Sequence, residues 1–153
     1  MYKGPKLNFS KINLRAEKRH DRTYVLSEVR GIYVALTPEE WVRRHLVAHL
    51  IKECSAPLRS IVEEYPVELN GMAQRADVVV FDAEAHPLLL AECKSTDVDL
   101  SRRETLGEVF LQTTRYNAVV KARYIIITNG VLHYCYEATP QGYIAMKAFP
   151  KLG

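Results

Sequence analysis

The chain has 153 residues, 48% hydrophobic and 25% charged, values that fit one globular domain with one core. No apolar run is long enough to cross a bilayer, and the N-terminus lacks the apolar segment of a signal peptide. We therefore expect a cytoplasmic protein with no membrane contact. The three cysteines have no C-x-x-C spacing, which argues against a disulfide framework or a zinc cage.

Charge is distributed unevenly along the chain. The net charge is +3, with +5 on residues 1–35 and −2 on residues 36–153. A basic segment on a near-neutral body suits a polyanion partner, and it equally fits a solvated charged arm. Residues 1–20 show little periodicity and are predicted to be a basic N-terminal arm or a loose first strand.

The segment after the arm predicts a hairpin and a helix. The runs T-Y-V-L and G-I-Y-V-A-L lie on either side of Arg30-Gly31 and are expected to pair. Thr37-Pro38-Glu39-Glu40 is typical of a helix start, with Thr37 as the N-cap and Glu40 at the acidic position of a capping box. Apolar residues then recur with helical period until about Ser55.

The remaining elements alternate between strands and one further helix. Asn70-Gly71 predicts a tight turn, and Ser101 to Lys121 has the apolar spacing of a helix. The predicted strands are 60–69, 76–81, 88–94, 123–128, 131–136 and 142–148. The order predicts one α/β domain spanning residues 1–153, in which a mixed sheet carries helices on its faces.

The segment D-V-V-V-F-D-A-E-A-H-P-L-L-L-A-E-C-K, from Asp77 to Lys94, holds charges at the ends of two apolar strands. If Asp82 faces Pro87 across a four-residue turn, Asp77 falls directly opposite Glu92. Lys94 and Arg75 then share that face of the sheet. Two opposed carboxylates repel each other, and a divalent cation relieves the repulsion. The alternative is an ion pair at the end of a strand.

These residues resemble the PD-(D/E)xK nuclease superfamily, and most of all the N-terminal nuclease domain of type I restriction endonuclease R subunits. The matching pieces are T-P-E-E-W-V-R-R, R-A-D-V-V-V-F-D, L-L-L-A-E-C-K and Q-T-T-R-Y, in the order of the family. The resemblance implies a restriction-endonuclease-like fold with an αβββαβ core, here at residues 37–137. It also implies a divalent-metal-dependent nuclease, an endonuclease acting on DNA.

The resemblance assigns roles to individual residues. Asp77 and Glu92 match the metal-binding acids, Cys93 offers its backbone carbonyl to the metal, and Lys94 matches the catalytic lysine. The metal expected in such a site is Mg²⁺ or Mn²⁺. Glu40 matches the acid of the first helix, although a capping box also accounts for a glutamate at that position.

The second helix carries further matches. Gln112 and Tyr116 match a Q-x-x-x-Y motif on one helix face, in which Gln112 would hydrogen-bond Lys94 or a base and Tyr116 would pack on the substrate. The alternative is an ordinary helix face, with Tyr116 half in the core. Arg75 is a further candidate for a phosphate contact. Arg102, Arg103 and Arg115 are candidates to line the same groove, although exposed arginines on helices usually have no specific role.

Two alternatives remain at this stage. His45 and His49 have metal-binding spacing on a helix, but H-L-V-A-H lacks the glutamate of H-E-x-x-H and nothing completes a site. The function is expected to be that of an autonomous nuclease or of a DNA-binding or recruitment subunit that needs a partner. The sequence contains no G-x-x-x-x-G-K-[ST] motif, so translocation is not expected of this chain. The candidate partners are a helicase or translocase, a specificity subunit, or a second copy of the chain.

Overall fold

The computed structural model describes residues 4–153, so the first three residues of the predicted arm lie outside it. Residues 4–153 contain two helices, a short 3₁₀ helix at Leu58–Ser60, and nine strands that form two sheets. The helices are α1 (Pro38–Lys52) and α2 (Arg103–Val120). The strands are β1 (Ala16–Arg19), β2 (Arg22–Ser27), β3 (Ile32–Ala35), β4 (Ile61–Leu69), β5 (Met72–Phe81), β6 (Pro87–Cys93), β7 (Tyr124–Thr128), β8 (His133–Thr139) and β9 (Gly142–Met146).

The first three strands form a small antiparallel sheet in the order β1-β2-β3. The predicted hairpin of β2 and β3 is confirmed, with Val25 opposite Val34. The end of the arm forms the strand β1, which pairs with β2 across a turn at His20 and Asp21, both with positive φ. Positive φ at both central residues is the arrangement of a two-residue turn that matches strand twist.

The larger sheet has six strands in the order β4-β5-β6-β7-β8-β9. Only β6 and β7 are parallel, and α2 connects them, since parallel neighbours need a long crossover. The order α1, β4, β5, β6, α2, β7 is the αβββαβ core that the resemblance implied. The fold is therefore α/β with a mixed sheet, consistent with the restriction-endonuclease-like class.

The two helices cover opposite faces of this sheet. Leu46 and Leu50 of α1 pack against Val78, Val80 and Ala91. On the other face, a second cluster joins α2 to the sheet; its members include Tyr116, Val120, Val79, Leu90 and Ile125. Strands buried on both faces are apolar throughout, which explains why the sequence shows continuous apolar runs there. Neither helix in residues 4–153 is long and apolar enough to span a membrane.

The hairpin of β5 and β6 has the predicted register but not the predicted turn. Val78 lies opposite Ala91 and Val80 opposite Leu89, as expected, whereas Phe81 pairs with Pro87. The Asp82 N–H bonds to the His86 carbonyl at 2.8 Å, so the turn is one residue shorter than predicted. A β-bulge between Val80 and Phe81 restores the register.

Candidate active site

Asp77 and Glu92 lie at the open end of the β5–β6 hairpin and bond to each other's strand. The Asp77 N–H donates to Glu92 Oε1 at 3.2 Å, and the Cys93 N–H donates to Asp77 Oδ2 at 2.7 Å. Glu92 is 4% exposed, while the Asp77 side chain is 27% exposed. The structure thus brings together the two carboxylates that the sequence placed opposite each other.

The proximity of the two acids changes their titration. Burial and the charge of Asp77 raise the pKa of Glu92 to about 8. Burial also raises the pKa of Asp77, although the Cys93 N–H and Arg43 act in the opposite direction. Burial raises the pKa of the Cys93 thiol well above its usual value. Two acids in such close contact repel each other when both are ionised, and a divalent cation relieves that repulsion.

Lys94 and α2 meet on the same side of the sheet as Glu92. Lys94 Nζ donates to Gln112 Oε1 at 3.3 Å, and Gln112 Nε2 donates to the Tyr116 hydroxyl at 3.2 Å. The Tyr116 hydroxyl in turn lies 3.5 Å from Gln74 Oε1 on β5. Side chains from β5 and α2 therefore form a chain of hydrogen bonds that ends at the ammonium group of Lys94, the residue after β6.

The predicted nucleic-acid contacts differ in their exposure. Arg75, Arg102 and Arg115 are all exposed, so their guanidinium groups are free to meet a phosphate backbone. The ring of Tyr116 is 5% exposed and packs in the core beneath α2. The prediction that Tyr116 packs on the substrate does not fit this burial, because only its hydroxyl reaches the site.

Glu40 is bound by arginines of its own helix. Thr37 caps α1 by accepting the Glu40 N–H at 3.0 Å, as predicted. The Glu40 carboxylate accepts hydrogen bonds from Arg43 Nη2 at 2.6 Å and from Arg44 Nε at 2.9 Å. These arginines hold the pKa of Glu40 below its usual value despite its burial. Both of its oxygens are thus engaged by neighbouring cations.

Arg43 connects Glu40 to the acids on the sheet. Its Nη1 lies 2.8 Å from Glu64 Oε1 on β4 and donates to the Asp77 carbonyl at 3.3 Å. The distance from Arg43 Nη1 to Asp77 Oδ1 is 4.0 Å. The sequence interpretation missed Arg43 and Glu64. The i, i+3 spacing of Glu40 and Arg43 indicates that these two side chains pair. Nothing in the sequence indicates the contact between Arg43 and Glu64 on β4.

Glu64 interrupts the ladder between β4 and β5 beside Asp77. Paired residues run to Glu63 opposite Val78 and resume at Tyr65 opposite Ala76. Glu64 has φ 56, a conformation that residues other than glycine rarely adopt and that is found disproportionately at functional sites. This irregularity turns the Glu64 side chain to Arg43 and opens the strand pair at Asp77.

A cleft of about 130 Å³ lies between the N-terminal turn of α1 and the strand ends. Its lining residues are Thr37, Glu39, Glu40, Arg43, Glu64, Asp77 and Cys93. Asp77 therefore borders open space on the α1 side and approaches Glu92 and Lys94 on the α2 side. The cleft leaves the Asp77 carboxylate accessible to solvent.

Other candidate metal ligands lie elsewhere. His45 and His49 pack around the ring of Phe9, and burial lowers the pKa of both histidines. His45 Nδ1 lies 2.8 Å from the Trp41 carbonyl, a contact that acts in the opposite direction on the pKa of His45. Asp82, Glu84 and His86 bring three ligand atoms within 4.8 Å at the opposite end of the β5–β6 hairpin. There Asp82 Oδ1 accepts the backbone N–H groups of Glu84 and His86, which accounts for this cluster as turn structure.

Comparison with known proteins gives one family. The family model described as the Type I restriction enzyme R protein N terminus matches residues 38–150, from the first helix to beyond the last strand. This range contains Asp77, Glu92, Lys94, Gln112 and Glu40. None of the curated proteins matches this chain.

Proposed function

Because the chain belongs to the family of type I restriction enzyme R protein N-terminal domains, we propose that it is a divalent-metal-dependent nuclease acting on DNA. The family gives the chain a role related to restriction enzymes. The observation that carries the nuclease proposal is the reciprocal bonding of Asp77 and Glu92, a partly exposed and a buried carboxylate with Lys94 beside them.

The donor set fits Mg²⁺ or Mn²⁺. Both ions prefer oxygen ligands and bind to proteins through one or two carboxylates while keeping several waters. Asp77 and Glu92 supply two carboxylates, and the Cys93 carbonyl is the third ligand in the proposal. When bound, such an ion lowers the pKa of a coordinated water and offsets negative charge on the phosphate.

Lys94 is proposed to orient the attacking water or to stabilise negative charge that develops on the phosphate. Its hydrogen bond to Gln112 fixes the ammonium group at the open end of the hairpin. Tyr116 fixes Gln112 in turn, because its hydroxyl accepts the Gln112 amide hydrogen bond. Arg75, exposed on β5 two residues before Asp77, is proposed to contact the DNA backbone. Arg102 and Arg115 are further proposed backbone contacts.

A second candidate is a nuclease subunit that is active only inside a larger assembly. The family is named for one terminus of a restriction-enzyme subunit. In that case DNA reaches the site through a translocating or specificity subunit, and the isolated domain binds metal without cutting efficiently.

Cleavage of supercoiled plasmid and of single-stranded DNA by the purified protein, with Mg²⁺ or Mn²⁺, tests the proposal. We expect metal-dependent cleavage that Asp77→Asn, Glu92→Gln and Lys94→Met each reduce at least a hundredfold. Asp82→Asn, at the other end of the same hairpin, is the matched control and is expected to cut as well as the wild type.

Equal cleavage by Asp77→Asn and wild type contradicts the proposed site. Cleavage that depends on Asp82 points instead to the turn cluster. If the wild type binds metal but cuts only after a translocating subunit is added, the second candidate is correct.

A further inference from the structure

Arg43 contacts two acids of the cleft and the backbone of a third, yet the proposed chemistry gives it no role. Its side chain is 9% exposed. Nε and Nη2 donate to the two oxygens of Glu40 at 3.2 and 2.6 Å. Nη1 serves both Glu64 and the Asp77 carbonyl. An arginine has five N–H donors and four are committed here, so Arg43 keeps at most one donor for a substrate phosphate.

These bonds join three elements at a weak point of the sheet. Arg43 belongs to α1, Glu64 to β4 and Asp77 to β5. The β4–β5 ladder has no pair at Glu64 and Asp77, and the guanidinium group lies across that gap. A planar guanidinium can hold partners in several fixed directions, which a lysine ammonium on a flexible stem cannot do. Arg43 therefore fixes the backbone of Asp77 where the ladder does not.

Glu40 faces the arginines instead of the strand ends. Besides Arg43 and Arg44, Arg30 Nη2 lies 3.5 Å from Glu40 Oε1. A divalent cation at Glu40 would have to displace at least one of these three positive charges, and a buried arginine left without its acid is costly. Glu40 thus orients Arg43, and neither of its carboxylate oxygens is vacant for a metal ion.

We propose that Arg43 is a positioning residue that holds Asp77 in place for metal binding, and that Glu40 acts on the metal site only through Arg43. This inference rests on the proposed nuclease function. It assigns the acid of the first helix to the support of a ligand and not to the metal itself.

Titration of Mn²⁺ alone into the metal-free protein, followed by calorimetry, tests the inference without any cleavage assay. Arg43→Lys keeps the positive charge and removes the fork, and we expect it to raise the Mn²⁺ dissociation constant at least fivefold. Arg44→Lys is the matched control, because Arg44 shares Glu40 but pairs with Glu63 instead of Asp77. We expect its Mn²⁺ affinity to stay within twofold of the wild type.

Glu40→Gln separates support from direct ligation and does not depend on the folding of the arginine variants. A glutamine oxygen still accepts a bond from Arg43, so we expect the dissociation constant to change by less than threefold. In the Arg43→Lys background the same substitution should add no further loss, since residues that act as a unit are not additive.

Three results would overturn the inference. They are an unchanged affinity in Arg43→Lys, an equal loss in Arg44→Lys, and a loss of more than tenfold in Glu40→Gln. If the wild type binds Mn²⁺ and cleaves DNA while Arg43→Lys matches it, only this inference is wrong. If the wild type binds no Mn²⁺, the proposed function is contradicted and the inference with it.

Discussion

Asp77 and Glu92 each place a carboxylate oxygen on a backbone N–H group of the opposite strand, at 2.7 Å from Cys93 N and 3.2 Å from Asp77 N. At this end of the hairpin, carboxylate oxygens therefore accept the N–H hydrogen bonds that backbone carbonyl oxygens accept where the ladder continues. The exchange brings two acidic groups together in a buried place, where repulsion is strong and a bound cation is favoured.

The first prediction concerns the pH dependence of stability without metal. The folded-state pKa of Glu92, about 8, lies above its ordinary value of 4.5, so the folded protein binds the proton more tightly than the unfolded chain. The contribution of Glu92 to stability is thus complete below about pH 4.5 and is lost as the pH rises through about 8. The Glu92→Gln variant lacks this loss. We expect it to become more stable than the wild type, by on the order of a few kcal/mol, at pH 9 in EDTA.

Chemical denaturation of both proteins at several pH values between 5 and 9 measures this difference. Saturating Mn²⁺ should reverse the order at high pH, because the metal stabilises only the protein that binds it. A difference that does not change with pH would show that Glu92 does not have a raised pKa.

The second prediction concerns the hydrogen bond between Lys94 and Gln112. Loss of one such bond costs about 1 to 1.5 kcal/mol, which corresponds to roughly a tenfold effect on a rate. We expect Gln112→Met to lower kcat for DNA cleavage about tenfold with little change in KM. Tyr116→Phe should have a smaller effect of the same kind, since Tyr116 touches Gln112 and not Lys94.

Steady-state kinetics with a short DNA duplex checks this prediction. Leu111→Ala, one residue earlier and 51% exposed, is a suitable control that should leave both constants unchanged. An increase in KM alone for Gln112→Met would mean that Gln112 binds substrate instead of orienting Lys94.

The third prediction concerns Arg75 as a backbone contact. Each phosphate contact adds about one unit to the slope of log affinity against log salt. We therefore expect Arg75→Ala to weaken DNA binding equally for unrelated sequences and to reduce that slope by about one. Fluorescence anisotropy at several salt concentrations, in the presence of Ca²⁺, provides the slope.

Arg59 offers the comparison, because it is exposed near the opposite end of the sheet beside Asp82. Arg59→Ala should bind DNA as the wild type does. An unchanged slope for Arg75→Ala would remove Arg75 from the nucleic-acid surface.

The fourth prediction concerns the stability of the ion-pair network behind the site. The Glu63 side chain is fully buried and pairs with Arg44 and Arg30, and it also accepts the Ser27 hydroxyl at 2.9 Å. Removing one partner leaves a buried charge uncompensated, so we expect Glu63→Gln to cost about 3–5 kcal/mol. Glu137→Gln, which breaks a surface pair with Arg123, should leave the melting temperature unchanged.

Thermal and guanidinium unfolding of both variants decide this point. A loss below about 1 kcal/mol for Glu63→Gln would mean that the arginines find other partners. In that case the network does not hold α1 against β4 in the way that the contacts indicate.

Much of this fold follows from local patterns in the sequence. The N-cap at Thr37, the apolar runs of β5 and β6 and the periodicity of α2 each point to one structure, because local preference and burial agree there. The contact of Lys94 with Gln112 is one of the two contacts that the resemblance implied for Gln112.

Other features depend on contacts that the sequence does not show. The turn after Asp82 was predicted one residue too long, because Ala85 takes a left-handed conformation and a bulge compensates for the missing residue. The burial of Arg43 and the positive φ of Glu64 arise where α1, β4 and β5 meet. No short-range pattern in the sequence predicts a contact between three elements. That contact fixes Arg43 beside Glu40.

The most direct test of the central claim is an anomalous diffraction map from crystals of the protein soaked in Mn²⁺. The account predicts one strong peak bound by the carboxylates of both Asp77 and Glu92, and no such peak in Asp77→Asn crystals. A peak only at the Asp82, Glu84 and His86 turn, or none within coordination distance of Asp77 and Glu92, would contradict it.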